Sequence, residues 1–236
     1  MSLRALICGA ALALVAALAA AAPAGGAREC DGLQICLPVD GPWVVVPTGG
    51  GANRPKVEYQ VSCPRGYMAG GLDAVLSQRA IDVNFLGTLG SPVNPGISTS
   101  RAVVFVGVYV GVTPRGPTFK PWVGCMPSRG RGGPRSPSSA AAFPPGQPTT
   151  RRVRTVRVRP GTATVGQGCR AGERLVGTSH AFAFDTRRPP SPSLVAGVSG
   201  TRSVRDGRVV VRVSGDAELG RVRALVQVHA VCSRVR

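Results

Sequence analysis

Cysteine is the residue whose number and spacing say most about chemistry in this chain. After residue 27 the sequence contains six cysteines, at Cys30, Cys36, Cys63, Cys125, Cys169 and Cys232. Thiols in this number serve as disulfide partners or as zinc ligands. Zinc sites usually use a Cys-x-x-Cys pair or several histidines, whereas this chain has no such pair and only His180 and His229. We therefore expect disulfides, no metal site and no cofactor.

The cysteines also indicate an internal repeat. Cys63-Pro-Arg-Gly66 leads to Cys125 over nearly the same number of residues as Cys169-Arg-Ala-Gly172 leads to Cys232. Each closing cysteine ends an apolar run that is typical of a strand. The repeat predicts the pairs Cys63–Cys125 and Cys169–Cys232, which leaves Cys30 to pair with Cys36.

Side chains suited to nucleophilic catalysis occur together once. Ser179, His180 and Asp185 would supply a hydroxyl, an imidazole and a carboxylate. They lie in a strand-like run, where neighbouring side chains point to opposite faces, so Ser179 and His180 would diverge. The string Gly-Val-Ser-Gly-Thr at 197–201 lacks the last glycine of a nucleophile elbow. We therefore expect no catalytic residues and no enzyme activity.

Arginine is the second informative residue type. The formal net charge is +18, and most of the excess falls in residues 151–236. There, arginines alternate with apolar residues, which predicts that they share the solvent side of strands. The candidates are Arg157, Arg159, Arg208, Arg212, Arg221 and Arg223. Because a guanidinium presents a fork of donors that matches phosphate and carboxylate oxygens, this arginine-lined sheet face predicts binding of anionic cell-envelope or matrix polymers.

The charge allows two other interpretations. Only Lys56 and Lys120 are lysines, which indicates a GC-rich genome and allows a solvated surface without a ligand. Nucleic acid readout usually needs aromatic side chains among the basic ones. The aromatics of residues 151–236 are Phe182 and Phe184, which we assign to the core. We therefore expect no sequence-specific nucleic acid partner.

Aromatic side chains before residue 126 suggest a different site. Trp43, Tyr67, Tyr109 and Trp122 could stack on sugar rings. Trp122 lies three residues before Cys125, so strand alternation places it on the opposite face from that cysteine. Trp122 thus carries the alternative function, a carbohydrate-binding or inhibitory module. The competing interpretation is that these rings close a small core.

Strands and turns must position all of these side chains. The chain contains 32 Gly and 21 Pro and favours Val and Ala over Leu, so long helices are not expected. Apolar and polar residues alternate through residues 57–63 and 222–232, as in half-buried strands. In residues 102–112, alternation puts Ala102 and the even-numbered valines on one face and Phe105, Gly107, Tyr109 and Gly111 on the other. Asp206-Gly207 separates two further runs and predicts a hairpin, since this dipeptide supplies the positive φ angles of a primed turn.

The first residues predict the compartment. Arg4 precedes an apolar run from Ala5 to Ala22 that small residues follow, a layout typical of a cleaved secretory signal peptide. A retained membrane anchor is the competing interpretation, and after cleavage no membrane span is expected. We predict a signal peptide over 1–27, a first domain over 28–125, a Pro/Gly/Ser/Arg-rich linker over 126–150 and a basic second domain over 151–236.

The motifs also resemble a known group of sequences. Cys63-Pro-Arg-Gly66 with Gly70-Gly71, and the closing run Val226–Cys232, are similar to repeats in secreted proteins of high-GC actinobacteria. The resemblance covers roughly residues 57–125 and 162–232, and it implies an all-β secreted domain without catalytic residues. Together with the strand patterns, it predicts two tandem small β-sandwich or barrel-like domains, each stapled by one disulfide, in a secreted or envelope-associated protein.

Overall fold

The computed structural model describes residues 36–49, 54–86, 101–112, 114–127 and 149–234. These residues are mostly β-strand, with one short α-helix and one 3-10 helix, so the predicted all-β class is confirmed. The predicted signal peptide over 1–27 lies outside the described residues. Within the described ranges, no helix has the length and apolar character needed to cross a membrane.

The strands divide into an N-terminal half and a C-terminal half. The N-terminal half contains β1 (Leu37–Asp40), β2 (Trp43–Val45), β3 (Lys56–Ser62), β4 (Tyr67–Leu76), β5 (Ile81–Leu86), β6 (Ala102–Tyr109) and β7 (Thr118–Pro127). The C-terminal half contains β8 (Thr149–Val158), β9 (Gly161–Gly168), β10 (Glu173–Phe184), α1 (Pro192–Ala196), β11 (Val198–Arg205), β12 (Arg208–Gly215), the 3-10 helix Ala217–Arg221 and β13 (Ala224–Arg234).

Period-two alternation decides which side of each strand is buried. In β12, Val209, Val211 and Val213 are buried while Arg208 and Arg212 are exposed, because successive side chains of a strand point to opposite faces. The Asp206-Gly207 dipeptide connects β11 to β12 with φ values of 49° and 67°, so the predicted hairpin is present.

The strands form three sheets. The central sheet has seven strands, in which β4, β7 and the short strands β1 and β2 continue into β10, β13 and β8. The N-terminal sheet has the order β3-β6-β5, and the C-terminal sheet has the order β9-β12-β11. The halves meet in the central sheet, where β2 pairs with β10 through Val44↔Ala183 and Trp43↔Phe184.

The two hydrophobic cores lie on opposite faces of the central sheet. Val44 and its partner Ala183 belong to the N-terminal core, between the central and N-terminal sheets. Trp43 and its partner Phe184 belong to the C-terminal core, between the central and C-terminal sheets. Since neighbouring residues of a strand point to opposite faces, the two outer sheets cover opposite sides of the shared one.

The strand order is the same in both halves. Each half has a three-stranded sheet of matching order and a hydrogen-bonded pair, β4 with β7 and β10 with β13. The register shifts between Ala69 and Gly71 in one pair and between Leu175 and Gly177 in the other, so the glycines of the sequence motif lie at β-bulges.

Disulfides join the facing sheets of each half, and their prediction is confirmed. Cys63 directly follows β3 and is bonded to Cys125 in β7, and Cys169 directly follows β9 and is bonded to Cys232 in β13. Cys36 is also disulfide-bonded, and its predicted partner Cys30 lies outside the described residues.

The predicted linker over 126–150 overlaps the strands at both of its ends. Strand β7 continues to Pro127, and β8 begins at Thr149. Residues 128–148 of the predicted linker lie outside the described part of the chain.

Replacing Trp43 tests the shared sheet. Trp43 belongs to β2 of the N-terminal half but is only 4% exposed within the C-terminal core. We expect Trp43→Ala to lower the free energy of unfolding by about 3–5 kcal/mol, as for other truncated core aromatics. Urea unfolding followed by far-UV circular dichroism measures this loss.

The matched control is Trp122→Ala, because the chain has two tryptophans and Trp122 is only half-buried. We expect this change to cost less than half as much stability. Equal losses in the two variants would contradict the assignment of Trp43 to the C-terminal core.

Candidate anion-binding face

The outer surface of the C-terminal sheet is a regular array of polar side chains. Strand β12 lies at the centre, between β11 and β9. Its alternate residues Val209, Val211 and Val213 are buried in the C-terminal core. Residues 208, 210, 212 and 214 therefore point outward, together with the residues directly opposite them on the two neighbouring strands.

This surface consists of four rows, which we call the arginine–hydroxyl face. From one end to the other the rows are Arg205, Arg208 and Gly168; Ser203, Val210 and Gly166; Thr201, Arg212 and Thr164; and Ser199, Ser214 and Thr162. The four rows contain three guanidiniums and six hydroxyls but no carboxylate. None of the three arginines forms an ion pair within the described part of the chain.

Arg212 stands at the centre of the hydroxyl-bearing rows. A shallow depression of about 240 Å³ lies beside it and is lined by Thr162, Ser199, Gly200, Thr201, Arg212 and Ser214. Hydroxyls donate and accept hydrogen bonds, whereas a guanidinium only donates. The depression can therefore bind an anionic group and adjoining sugar or polyol hydroxyls at the same time.

The structure brings together only two of the six arginines named from the sequence. Arg208 and Arg212 lie on the arginine–hydroxyl face. Arg157 lies in β8 opposite Leu225, and both point away from the C-terminal core because their neighbours Val158 and Val226 point into it. Arg157 is therefore on the other side of this half of the molecule.

The remaining three predicted arginines lie where β8 ends and β13 begins. Arg159 directly follows β8, while Arg221 and Arg223 precede β13, and all three are exposed. Arg223 is in addition paired with Asp185, at 3.4 Å between Nη1 and Oδ2. None of these three arginines lies in the four rows of the arginine–hydroxyl face.

Sequence reasoning missed Arg205 and all six hydroxyls of the face. The signal was present, because Ser199, Thr201, Ser203 and Arg205 alternate along one strand and Thr162 alternates with Thr164 on another. Such alternation places polar groups outward but does not say which strands are neighbours. The pairing of β11 with β12 supplies that information by placing Arg205 opposite Arg208.

Trp122 lies on the face of the central sheet that points away from the N-terminal core. It pairs across the sheet with Asp40 on one side and Asp73 on the other. The Lys120 ammonium lies 5.0 Å from the centroid of the Trp122 ring and 2.7 Å from Asp40 Oδ2. The Trp122 ring therefore already forms a cation–π contact with Lys120.

The other three aromatics named with Trp122 are not beside it. Trp43 and Tyr109 are buried, one in each core, and Tyr67 packs against the N-terminal core. The structure therefore does not assemble an aromatic platform from these four residues.

A cluster of ionisable groups joins β3 to the second half of the central sheet. Ser179 Oγ donates to Glu58 Oε2 at 2.8 Å, and Arg151 Nη1 donates to the same carboxylate oxygen. Arg151 Nη1 also lies 2.7 Å from His229 Nδ1. Because a guanidinium can only donate, Nδ1 accepts and the imidazole proton resides on Nε2, which lies 2.6 Å from Gln227 Oε1.

Gln227 closes the free edge of β3. The backbone N–H of Gln60 donates to Gln227 Oε1 at 2.6 Å, and Gln227 Nε2 donates to the backbone carbonyl of Gln60 at 3.1 Å. The Gln227 amide thus pairs with both backbone groups that Gln60 presents at the edge of β3, where a neighbouring strand would otherwise bind. A second bond from Gln227 Nε2 reaches Thr155 Oγ1 at 3.2 Å.

The cluster has the residue types of a catalytic triad but not its connections. The Ser179 hydroxyl donates to the Glu58 carboxylate rather than to an imidazole, so the serine–histidine contact of the triad is missing. His180 faces away from Ser179, and its ring meets Phe182 edge-on at 5.4 Å. The cluster instead connects β3 to β8, β10 and β13.

Burial and charge set the pKa values of this cluster. Burial, followed by the nearby Arg151 guanidinium, lowers the pKa of His229 to about 4. For Glu58, burial acts to raise the pKa, but the hydrogen bonds from Arg151 and Ser179 outweigh it and the pKa is lowered. At neutral pH, His229 is therefore neutral and Glu58 is charged.

One group of potential metal ligands lies within the described residues, formed by Cys169, Glu173 and Cys232. The two cysteines are bonded to each other. Glu173 accepts two hydrogen bonds from Arg152 and one from the backbone N–H of Arg170. With the sulfurs in a disulfide, this group has no thiolate to bind a metal.

Comparison with known proteins assigns the chain to no family. No protein-family model, no curated protein and no solved structure matches it.

His229 should make stability depend on pH. Its pKa is about 4 in the folded protein and 6.5 in the reference state, so the unfolded chain binds a proton first as the pH falls. Stability contributed by neutral His229 is thus present above pH 6.5 and is lost between pH 6.5 and 4, by up to about 3 kcal/mol. Urea unfolding at a series of pH values measures the slope.

We expect His229→Gln to remove most of this slope, whereas His180→Gln should keep most of it. His180 is the suitable control because burial and Arg202 lower its pKa as well, but it lies outside the cluster. A wild-type slope in the His229→Gln variant would contradict the assignment.

Proposed function

We propose that this protein is a secreted, non-enzymatic protein of two tandem β-sandwich domains that binds anionic polymers of the cell envelope or matrix through the arginine–hydroxyl face. The observation that carries the proposal is the composition of that face. Arg205, Arg208 and Arg212 are exposed, stand among six hydroxyls, and have no carboxylate in the four rows.

Uncompensated charge on a flat sheet favours an extended anionic ligand. Directly opposite residues are about 5 Å apart, and Arg212 follows Arg208 by four residues, which is about 13 Å along a strand. A polymer with repeated phosphates or carboxylates can contact both rows at once. A single small anion contacts only one of them, so chain-like ligands gain from multivalency.

The surrounding hydroxyls favour ligands that carry hydroxyls themselves. Thr162, Ser199, Thr201 and Ser214 line the depression beside Arg212, so a phosphate or carboxylate there has donors and acceptors next to it for a sugar or polyol. The four rows contain no aromatic side chain, and single-stranded nucleic acids are usually bound by stacking on such rings. These features favour teichoic-type polymers and acidic polysaccharides.

Further observations support the secreted and two-domain parts of the proposal. The Cys63–Cys125 and Cys169–Cys232 disulfides are typical of proteins in oxidising compartments. The matching strand order of the two halves supports an origin from one duplicated domain. The Ser179 hydroxyl donates to Glu58 rather than to a histidine, which supports a protein without a serine–histidine catalytic pair.

A triple substitution tests the face. We expect Arg205→Gln/Arg208→Gln/Arg212→Gln to weaken binding of the full chain to purified Gram-positive cell wall about tenfold at ~50 mM salt, since exposed ion pairs each contribute up to about 1 kcal/mol. Wild-type binding should fall toward the level of the variant at 500 mM salt, where exposed charges are screened. Sedimentation of the protein with the wall measures both effects.

The control removes the same charge from elsewhere. Arg157→Gln/Arg159→Gln/Arg221→Gln also deletes three guanidiniums, all exposed and none on the arginine–hydroxyl face, and it should bind like wild type. Equal loss in both variants would mean that only net charge matters. Absence of binding by the wild-type chain would favour a surface without a ligand. Salt-resistant binding that Trp122→Ala abolishes would favour the carbohydrate-binding alternative.

A further inference from the structure

A guanidinium from the central sheet reaches the edge of the arginine–hydroxyl face. Arg154 lies in β8 opposite Val228, which is buried in the C-terminal core, so its side chain extends on the side of the central sheet that faces β9. Arg154 Nη1 donates to the backbone carbonyl of Gly166 at 3.3 Å. Gly166 belongs to β9, which is an edge strand of the C-terminal sheet.

Arg154 can bind an anion, unlike the neighbouring arginine on the same side of β8. Arg152 donates two hydrogen bonds to the Glu173 carboxylate. Arg154 is exposed and forms no ion pair within the described ranges. Its bond to Gly166 uses only one of the several N–H donors of a guanidinium, so the others can bind a ligand.

Arg208 approaches the same part of β9 from the outer surface. A Cβ atom on Gly168 would lie 3.0 Å from Arg208 Cγ and 3.4 Å from Arg208 Nε, so the Arg208 side chain lies across Gly168. Glycine leaves room for this arrangement because it has no side chain. A larger residue at this position would displace the Arg208 side chain.

Arg154 and Arg208 thus lie on either side of a short stretch of β9 that has no outward side chain. Gly166 and Gly168 both stand in the outward rows of the face, and two residues span about 7 Å of a strand. A phosphate or carboxylate over this stretch can contact both guanidiniums, whose forked donors match the oxygens of such groups.

We propose that Arg154 and Arg208 jointly bind one anionic group of the polymer over Gly166 and Gly168. A polymer that contacts Arg212 and Arg208 therefore continues across β9 to the central sheet. This inference rests on the proposed function of the arginine–hydroxyl face, and it extends the binding site to a residue outside the four rows.

Replacing Arg154 and Arg157 in turn tests the extended site. Both arginines are exposed residues of β8, but they lie on opposite sides of the strand. We expect Arg154→Gln to weaken binding of the full chain to purified Gram-positive cell wall about threefold at ~50 mM salt, because it removes an exposed ion pair. Arg157→Gln should bind like wild type. Sedimentation of the protein with the wall measures both affinities.

A double-mutant cycle tests whether the two arginines share one anionic group. If they do, Arg154→Gln/Arg208→Gln should weaken binding by less than the product of the two single losses. The control is Arg154→Gln/Arg212→Gln, because Arg212 lies about 13 Å further along β12 than Arg208. Its loss should equal the product of the single losses. Losses that multiply in both double variants would overturn the shared group.

Gly168→Val tests the bare stretch of β9 without removing a charge. The valine side chain would take the place across which Arg208 lies, so we expect wall binding to fall about threefold, as for the loss of one exposed ion pair. Far-UV circular dichroism of each variant checks that the fold is retained. Undiminished binding by folded Gly168→Val would contradict the joint site.

The outcomes separate this inference from the proposed function. Wild-type binding by Arg154→Gln, together with a loss in the Arg205/Arg208/Arg212 triple variant, would overturn the inference and leave the proposed function intact. Equal losses in Arg154→Gln and Arg157→Gln would mean that only net charge matters, which would also overturn the inference. Absence of binding by the wild-type chain would overturn both.

Discussion

The pairing of β2 with β10 is the contact on which the architecture depends. It occupies only two residue pairs, yet it joins two groups of strands into one central sheet. Because adjacent residues of a strand face opposite ways, it also sends Val44 into one core and Trp43 into the other. The outer sheets consequently cover opposite sides, and the arginine–hydroxyl face is turned away from the N-terminal half.

The polar cluster around Glu58 gives this apolar junction a unique geometry. Buried polar groups cost free energy unless each is hydrogen-bonded, and His229, which is fully buried, has a partner for each ring nitrogen. Arg151 approaches both Glu58 and His229, while the Gln227 amide fits the backbone of Gln60. A shift of β3 on the central sheet would break several of these bonds, so the cluster favours the observed position even where its net contribution to stability is small.

Local sequence rules predicted what is local in this fold. The cysteine spacing predicted two long disulfides, the Asp206-Gly207 dipeptide a hairpin, and alternation the inward and outward sides of strands such as β12. The hairpin and the strand faces depend on nearby residues or on a period of two, and the disulfides follow from the cysteine spacing of the repeat.

The stacking of the three sheets could not be predicted in the same way. Alternation says that Arg157 and Arg208 both point outward, but not that they point outward from opposite layers, since that depends on which sheets stack. The shared sheet was missed because β2 is three residues long and follows Gly41-Pro42, a pair that reads as a turn. For the same reason Trp43 was considered with the aromatics of its own half, although its contacts lie in the other.

Each of the two long disulfides lies within one half, Cys63–Cys125 before Pro127 and Cys169–Cys232 after Thr149. A backbone cut between those two residues would therefore leave both bridges intact and cross neither. Among the described residues, the resulting fragments would be held together by β2 on β10, by the cluster around Glu58 and by the packing of Ala181 and Ala183 in the N-terminal core. These contacts form complementary surfaces, so the two pieces have what fragment complementation requires. The chain is in effect an intramolecular complex whose covalent tether sets the local concentration of its halves.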